Sequence, residues 1–251
     1  MLREYAVEPE VFSDVDFRTF MQVLDGFSYS NGRLISTFPK KWAREVHSVL
    51  NKLELQPVKK ESISIRLRKI AFAKRSCGAW DNVKSWSENA QLFNKQDPFH
   101  AIISGSGPLQ IDDLHDDTPQ WKSERQVRVP RTIEGFEEVT KDALKFAEHV
   151  KFIDAHYSPS LTRFGVPLSR FVELGNSGRQ VKKFEYHLRF DNSTADHFRE
   201  TLQSKQHFLK MESEQEFYFF RWKATGEESS ENLHPRFILT ESGGMHFDYG
   251  L

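Results

Sequence analysis

Cysteine is almost missing from this chain: Cys77 stands alone among 251 residues. A single thiol excludes an internal disulfide and fits a reducing compartment. Long apolar runs are lacking too. None approaches the roughly 20 residues that a membrane-spanning helix needs, and Met1-Leu2-Arg3-Glu4-Tyr5 does not read as a secretory leader. These absences predict a cytoplasmic chain with no membrane partner. Charge of one sign is also wanting, since 35 Lys and Arg face 36 Asp and Glu for a formal net charge of −1. No global basic field advertises nucleic acid, so any such contact must be local. What the chain has in plenty is phenylalanine, at 22 residues, which indicates a packed aromatic core rather than disorder. The length suits one large or two small domains.

The first half reads mainly as helices. Over residues 13–25, Ser13 can act as a cap with Asp16 three residues on. Phe17, Phe20, Met21 and Leu24 then recur at helical spacing before Gly26. A second helix is predicted from Pro39, with Trp42, Val46, Val49, Leu50 and Leu53 on its buried face. Residues 59–75 form the most basic stretch, Lys59, Lys60, Arg66, Arg68, Lys69, Lys74 and Arg75 against Glu61. Ile63, Ile65 and Leu67 alternate like a strand, whereas Ile63, Leu67 and Ile70 suit a helix, which we prefer. The plain reading of such a run is a solvated face. The functional one is a nucleic-acid-binding patch, because Lys and Arg contacts to phosphates give sequence-independent affinity. A helix over 82–94 and a strand from Phe99 to Ile103 follow. Gly105-Ser106-Gly107-Pro108 reads as a plain turn, since no Lys-Ser/Thr follows as in a phosphate loop. The acidic run from Asp112 to Asp117 lacks the spacing of a calcium loop, and no metal is assigned to it.

From Thr132 onward, helices alternate with strands. A helix to about Val150 precedes the strand ending in Asp154, and a short helix is predicted near 167–174. Phe184, Tyr186, Leu188 and Phe190 alternate with Glu185, His187 and Arg189, the pattern of a half-buried strand. Ser193 or Thr194 caps a helix to about Lys210. The aromatic run Phe217–Trp222 predicts a central strand covered on both faces. This order implies an α/β layer structure, divided into a mainly helical region over 1–95 and an α/β domain over 96–251. Asp154 and His156 sit at the carboxyl end of a predicted strand, where ligands gather in open α/β sheets.

The chemistry concentrates in His234-Pro235-Arg236-Phe237-Ile238-Leu239-Thr240-Glu241-Ser242-Gly243-Gly244. In a strand, His234 and Arg236 share one face, leaving Phe237 and Leu239 to enter the core. An imidazole can attack phosphorus or give up a proton, and a guanidinium supplies fixed charge for the non-bridging oxygens. Glu241 could hold the imidazole in one tautomer.

The spacing His-x-Arg-x-x-x-x-Glu resembles the His-x-Lys-x-x-x-x-Asp signature of the phospholipase D-like superfamily, with both charged partners conservatively changed. Val150-Lys151-Phe152-Ile153-Asp154 resembles the strand that opens one half of that fold. The resemblance covers about the last hundred residues and one motif copy. It implies a phospholipase D-like half in which His234 forms a phosphohistidine and Arg236 holds the equatorial oxygens, with no metal or other cofactor. Asp154, His156 and His246 are further pocket candidates. The family needs two facing motifs, so the resemblance implies a homodimer through the motif strand. Its single-motif nucleases are typically bacterial and often linked to antiviral defence against foreign DNA. Two alternatives stay open: a catalytically degraded module docking nucleic-acid backbone or partner proteins in a larger assembly, and a reader of phospholipid head groups.

Overall fold

Helix starts follow the local chemistry of their first turns. Asp16 rather than Ser13 caps the first long helix, accepting from the amides of Arg18 and Thr19 at 2.7 and 3.0 Å. The preceding residues are already used in a 3-10 turn, Pro9–Phe12. Ser85 and Glu88 close a capping box on another helix, satisfying two amides that the helix itself leaves unpaired. The computed structural model describes residues 1–75, 80–115, 117–122, 124, 126–178, 181–190, 193–205, 209–223 and 236–248. The chain divides into two units, Met1–Val127 and Arg128–Leu251.

Unit 1 runs β1 (Arg3–Val7), α1 (Phe17–Gly26), β2 (Arg33–Ser36), α2 (Trp42–Lys52), α3 (Pro57–Leu67), β3 (Phe72–Ala73), α4 (Trp86–Gln96) and β4 (Ala101–Ile103). Its strands form a parallel sheet in the order β3-β2-β1-β4. A region expected to be mainly helical therefore holds a sheet. The reason lies in Tyr5-Ala6-Val7 and Leu34-Ile35, which are buried on both faces. A short run with no exposed side carries no alternation to distinguish strand from helix. The boundary moves for a related reason. β4 pairs with β1 in the register Tyr5↔Ala101 and Val7↔Ile103, so it belongs to unit 1 and the division falls past residue 95.

Arg75, expected in the basic surface patch, is instead an internal residue. Its side chain is buried against Phe99, with the guanidinium carbon 4.4 Å from the ring centroid. It pairs with Glu4 through both carboxylate oxygens, Nε donating at 2.8 Å to Oε1, and Nη1 donates to the Asp97 carbonyl at 2.8 Å.

Unit 2 runs α5 (Ile133–Lys145), β5 (His149–Ile153), α6 (Thr162–Gly178), β6 (Lys183–Arg189), α7 (Ala195–Lys205), β7 (Glu216–Trp222), β8 (Arg236–Thr240) and β9 (Gly243–Phe247). The sheet order is β7-β6-β5-β8-β9, with β5, β6 and β7 parallel and the β8–β9 hairpin antiparallel. Helices alternate with strands as expected. All three helices pack on one face: Phe136 meets Phe247 at 5.7 Å, Phe171 meets Phe152 at 5.9 Å and Phe198 meets Phe219 at 5.8 Å.

Two expectations about this sheet fail. The aromatic run Phe217–Trp222 is an edge strand, not a central one. Phe217 and Phe219 pack on the core, while Tyr218, Phe220 and Trp222 stay exposed. In β8 it is Ile238, fully buried and opposite Phe152, that enters the core. Arg236 therefore lies on the core side of the sheet, and Phe237 and Leu239 on the opposite face.

Replacing Arg75 by Ala would leave the Glu4 carboxylate buried without its cation. Urea unfolding of Arg75→Ala is expected to lose about 3–5 kcal/mol; a loss under about 1 kcal/mol would contradict the internal ion pair.

Candidate functional site

Asp154 follows directly on β5, and its amide donates to the His187 carbonyl at 3.0 Å. Because β8 runs antiparallel to β5 with Ile153 opposite Phe237, Arg236 arrives beside Asp154. Arg236 Nε donates to Asp154 Oδ1 at 3.1 Å, and the His156 amide donates to the same oxygen at 2.9 Å. Asp154 is fully buried, yet its Oδ2 has no hydrogen-bond partner among the described residues. A buried carboxylate oxygen left unpaired is costly and uncommon. Beyond Nε, the N–H donors of Arg236 have no partner among the described residues, and the side chain keeps 18% of its exposure. Tyr186 on β6 has its hydroxyl pKa pushed well above the usual tyrosine value, first by burial and then by the Asp154 charge. The arrangement is a guanidinium fixed by one edge, at the carboxyl end of parallel strands, with donors to spare.

The other expected site residues distribute as follows. His234 lies outside the described residues. Glu241 is not brought to Arg236. It sits past the far end of β8, where Oε1 accepts from the Glu148 amide at 2.7 Å and Oε2 from the His149 amide at 3.4 Å. At about 3.4 Å per residue, β8 separates the two by roughly 17 Å. His156 has an exposed side chain and contributes its amide. His246 lies on β9 opposite Phe237, ring to ring at 4.9 Å, with Nδ1 3.6 Å from Asp248 Oδ1. That places it on the face away from Arg236.

The basic stretch is helical in its first part, as preferred, with Ile63 and Leu67 buried. Lys60 Nζ donates to the Asn51 carbonyl at 3.0 Å, Arg66 pairs with Asp25, and Lys59 lies 5.5 Å from the Phe17 ring centroid. Arg68, Lys69 and Lys74 are exposed. At the 105–108 turn the Gly105 amide donates to Glu8 Oε2 at 3.0 Å, so a carboxylate occupies the amide that a phosphate loop would offer. Asp113 Oδ2 accepts from the Gln110 amide at 2.9 Å, and Asp116 lies outside the described residues. Among the described residues, no group of three or more His, Cys, Asp and Glu could hold a metal ion, and no helix is long and apolar enough to cross a membrane.

The sequence reading missed the second face of the unit 2 sheet. His149 and Lys151 of β5, Lys183 to Arg189 of β6 at every second residue, and Tyr218, Phe220 and Trp222 of β7 all lie there. Glu185 sits at its centre, 5% exposed. Its carboxylate accepts from Lys183 Nζ at 2.6 Å, lies 3.1 Å from His187 Nε2, and has Lys151 Nζ and His149 Nε2 each at 3.2 Å. Burial pushes its pKa up, but the hydrogen bonds from Lys183, His187 and Lys151 outweigh it and hold the carboxyl at about 2. Trp222 Nε1 donates to His187 Nδ1 at 3.1 Å, which assigns the imidazole proton to Nε2, facing Glu185. The alternation of Lys183, Glu185, His187 and Arg189 was visible in the sequence. It would have pointed to an open face had the neighbouring aromatic run been read as an edge.

The folded pKa of Glu185 lies below its ordinary 4.5, so its contribution to stability is full above 4.5 and is lost as pH falls toward about 2. Near neutral pH, Glu185→Gln is expected to be about 1–3 kcal/mol less stable than the parent. That gap should narrow as unfolding is measured at successively lower pH below 4.5; a gap independent of pH would contradict the cluster. Set against known proteins, the chain matches no family model, no curated protein and no solved structure.

Proposed function

We propose that unit 2 handles a phosphodiester group, in nucleic acid, through Arg236. The observation that carries this reading is the guanidinium held by Nε on a buried carboxylate, its other donors without a partner among the described residues. Fixing Nε orients the planar fork before any ligand arrives. Bidentate donation to two phosphate oxygens then loses less side-chain entropy than a free arginine would. The carboxyl ends of β5 and β6 are where ligands collect in open α/β sheets.

Cleavage is the fuller form of the proposal and rests on the phospholipase D-like spacing. His234 would attack phosphorus, forming a P–N bond as the P–O bond to the leaving group breaks. A second imidazole would give the departing oxygen its proton, and water would later release the phosphohistidine. A second copy of the chain is the natural source of that imidazole, which makes a homodimer part of this form. Defence against foreign DNA is a setting that metal-free chemistry of this kind would suit. A second reading, phosphate docking without cleavage, is favoured by the position of Glu241. It is spent on backbone amides and does not reach Arg236.

The test is a labelled single-stranded oligonucleotide incubated with the chain in EDTA. Metal-free cutting lost in His234→Ala supports cleavage, whereas binding without cutting in both proteins supports docking. In either form Arg236→Ala is expected to weaken binding by about 1.5–3 kcal/mol, the value of a hydrogen bond to a charged group. Unchanged affinity would contradict the assignment.

A further inference from the structure

We infer that the open face of the unit 2 sheet is a platform for single-stranded nucleic acid, its bases stacking on the rings of β7. This deepens the reading above, on which it rests for the choice of a nucleic-acid ligand, by naming the strandedness of the substrate. Tyr218, Phe220 and Trp222 are 42%, 37% and 51% exposed, and all three lie on the face that α5, α6 and α7 leave uncovered. Solvent exposure of three large rings in a row is expensive unless something covers them.

The rings are held in position before any ligand binds. His187 stacks on Phe220 with centroids 4.8 Å apart and planes 10° from parallel, and lies within 17° of the Trp222 plane. The Trp222 indole is tethered to His187 Nδ1, and His187 in turn to Glu185. One side of Phe220 is therefore taken by the imidazole. Among the described residues no strand lies beyond its other side, because β7 ends the strand order of the sheet. A flat, sequence-tolerant base can use that side.

Charge favours the same ligand. Lys183 Nζ lies 5.2 Å from the Tyr218 ring centroid, and Arg189 is in register with Trp222 on the same face. Lys151, Lys183 and Arg189 face two carboxylates on this side of the sheet, Glu185 and Glu216, and outnumber them by one. A protein partner would have to cover this charged cluster, although charged residues are depleted at the cores of protein interfaces. A second copy of the chain laid on the face would set these lysines against one another. Duplex DNA keeps its bases paired and inaccessible to the rings. A single strand supplies both a base for each ring and a phosphate for each cation.

The experiment is fluorescence anisotropy on the full chain with labelled oligothymidylate and, in a parallel arm, oligouridylate, each compared with a duplex of equal length. Phe220→Ala and Trp222→Ala are each expected to weaken single-strand binding roughly 5- to 100-fold. Both alanine variants should keep a cooperative thermal transition, and Phe220→Tyr, which keeps the ring, should bind like the parent. The duplex should bind more weakly than the single strand. Preference for one of the two oligomers assigns the platform to DNA or to RNA. Parent-like binding by the double alanine variant overturns the platform, as does equal affinity for duplex. So does a parent dimer in light scattering that the double variant dissociates, because the face would then join two chains. Loss of binding in Arg236→Ala together with normal binding in the ring variants overturns the platform and leaves the phosphodiester reading standing. Loss in the ring variants alone does the reverse.

Discussion

A strand shows alternate side chains to opposite faces, and in unit 2 the helices bury only one of them. Phe152, Phe184, Tyr186 and Ile238 meet α5, α6 and α7 on that face. A slip of one residue in any central strand would drive Lys151, Glu185 or Phe237 into the aromatic core, so the register is pinned throughout. Both features on which the proposals rest follow from it. Arg236 is carried to the core side beside Asp154, and the charged and aromatic residues of β5, β6 and β7 are delivered together to the other side.

Three buried carboxylates show how differently the chain handles burial. Glu4 is matched by Arg75, and the pair anchors unit 1. Glu185 has nitrogens of four side chains around it and stays ionised. Asp154 has one oxygen doubly occupied and the other without a partner among the described residues. The first two are closed arrangements. The third keeps capacity on both the carboxylate and the guanidinium that no described residue takes up, which is what the proposed phosphate contact would use.

Much of unit 2 was legible from residue order alone. Thr132 and Thr194 cap α5 and α7 through their side-chain oxygens, as their positions before apolar-periodic runs suggested. The alternation Phe184-Glu185-Tyr186-His187-Leu188 announced β6, and the chain does turn back at Gly243, whose φ of 141° is open to glycine. Unit 1 was less legible, because Tyr5-Ala6-Val7 and Leu34-Ile35 are buried on all sides and show no period. Arg75 read as one more surface cation, since its partner Glu4 lies 71 positions away in the chain. Consecutive aromatics at 217–220 masked an edge strand, because Tyr218 and Phe220 face outward where apolar residues usually face inward. Glu241 was placed by spacing. Spacing along a strand measures distance as well as face, and five residues carried it to the opposite end.

The proposed function requires Arg236 to meet a phosphate while Asp154 holds it. Side-chain NMR of arginine labelled with nitrogen-15 tests this directly, with the Arg236 resonance assigned by its loss in Arg236→Lys and dimethyl phosphate as the titrant. The expected result is a saturable shift of the Arg236 Nε–H signal that is abolished in Asp154→Ala, where the guanidinium has lost its anchor. A titration in which other arginines respond and Arg236 does not would contradict it.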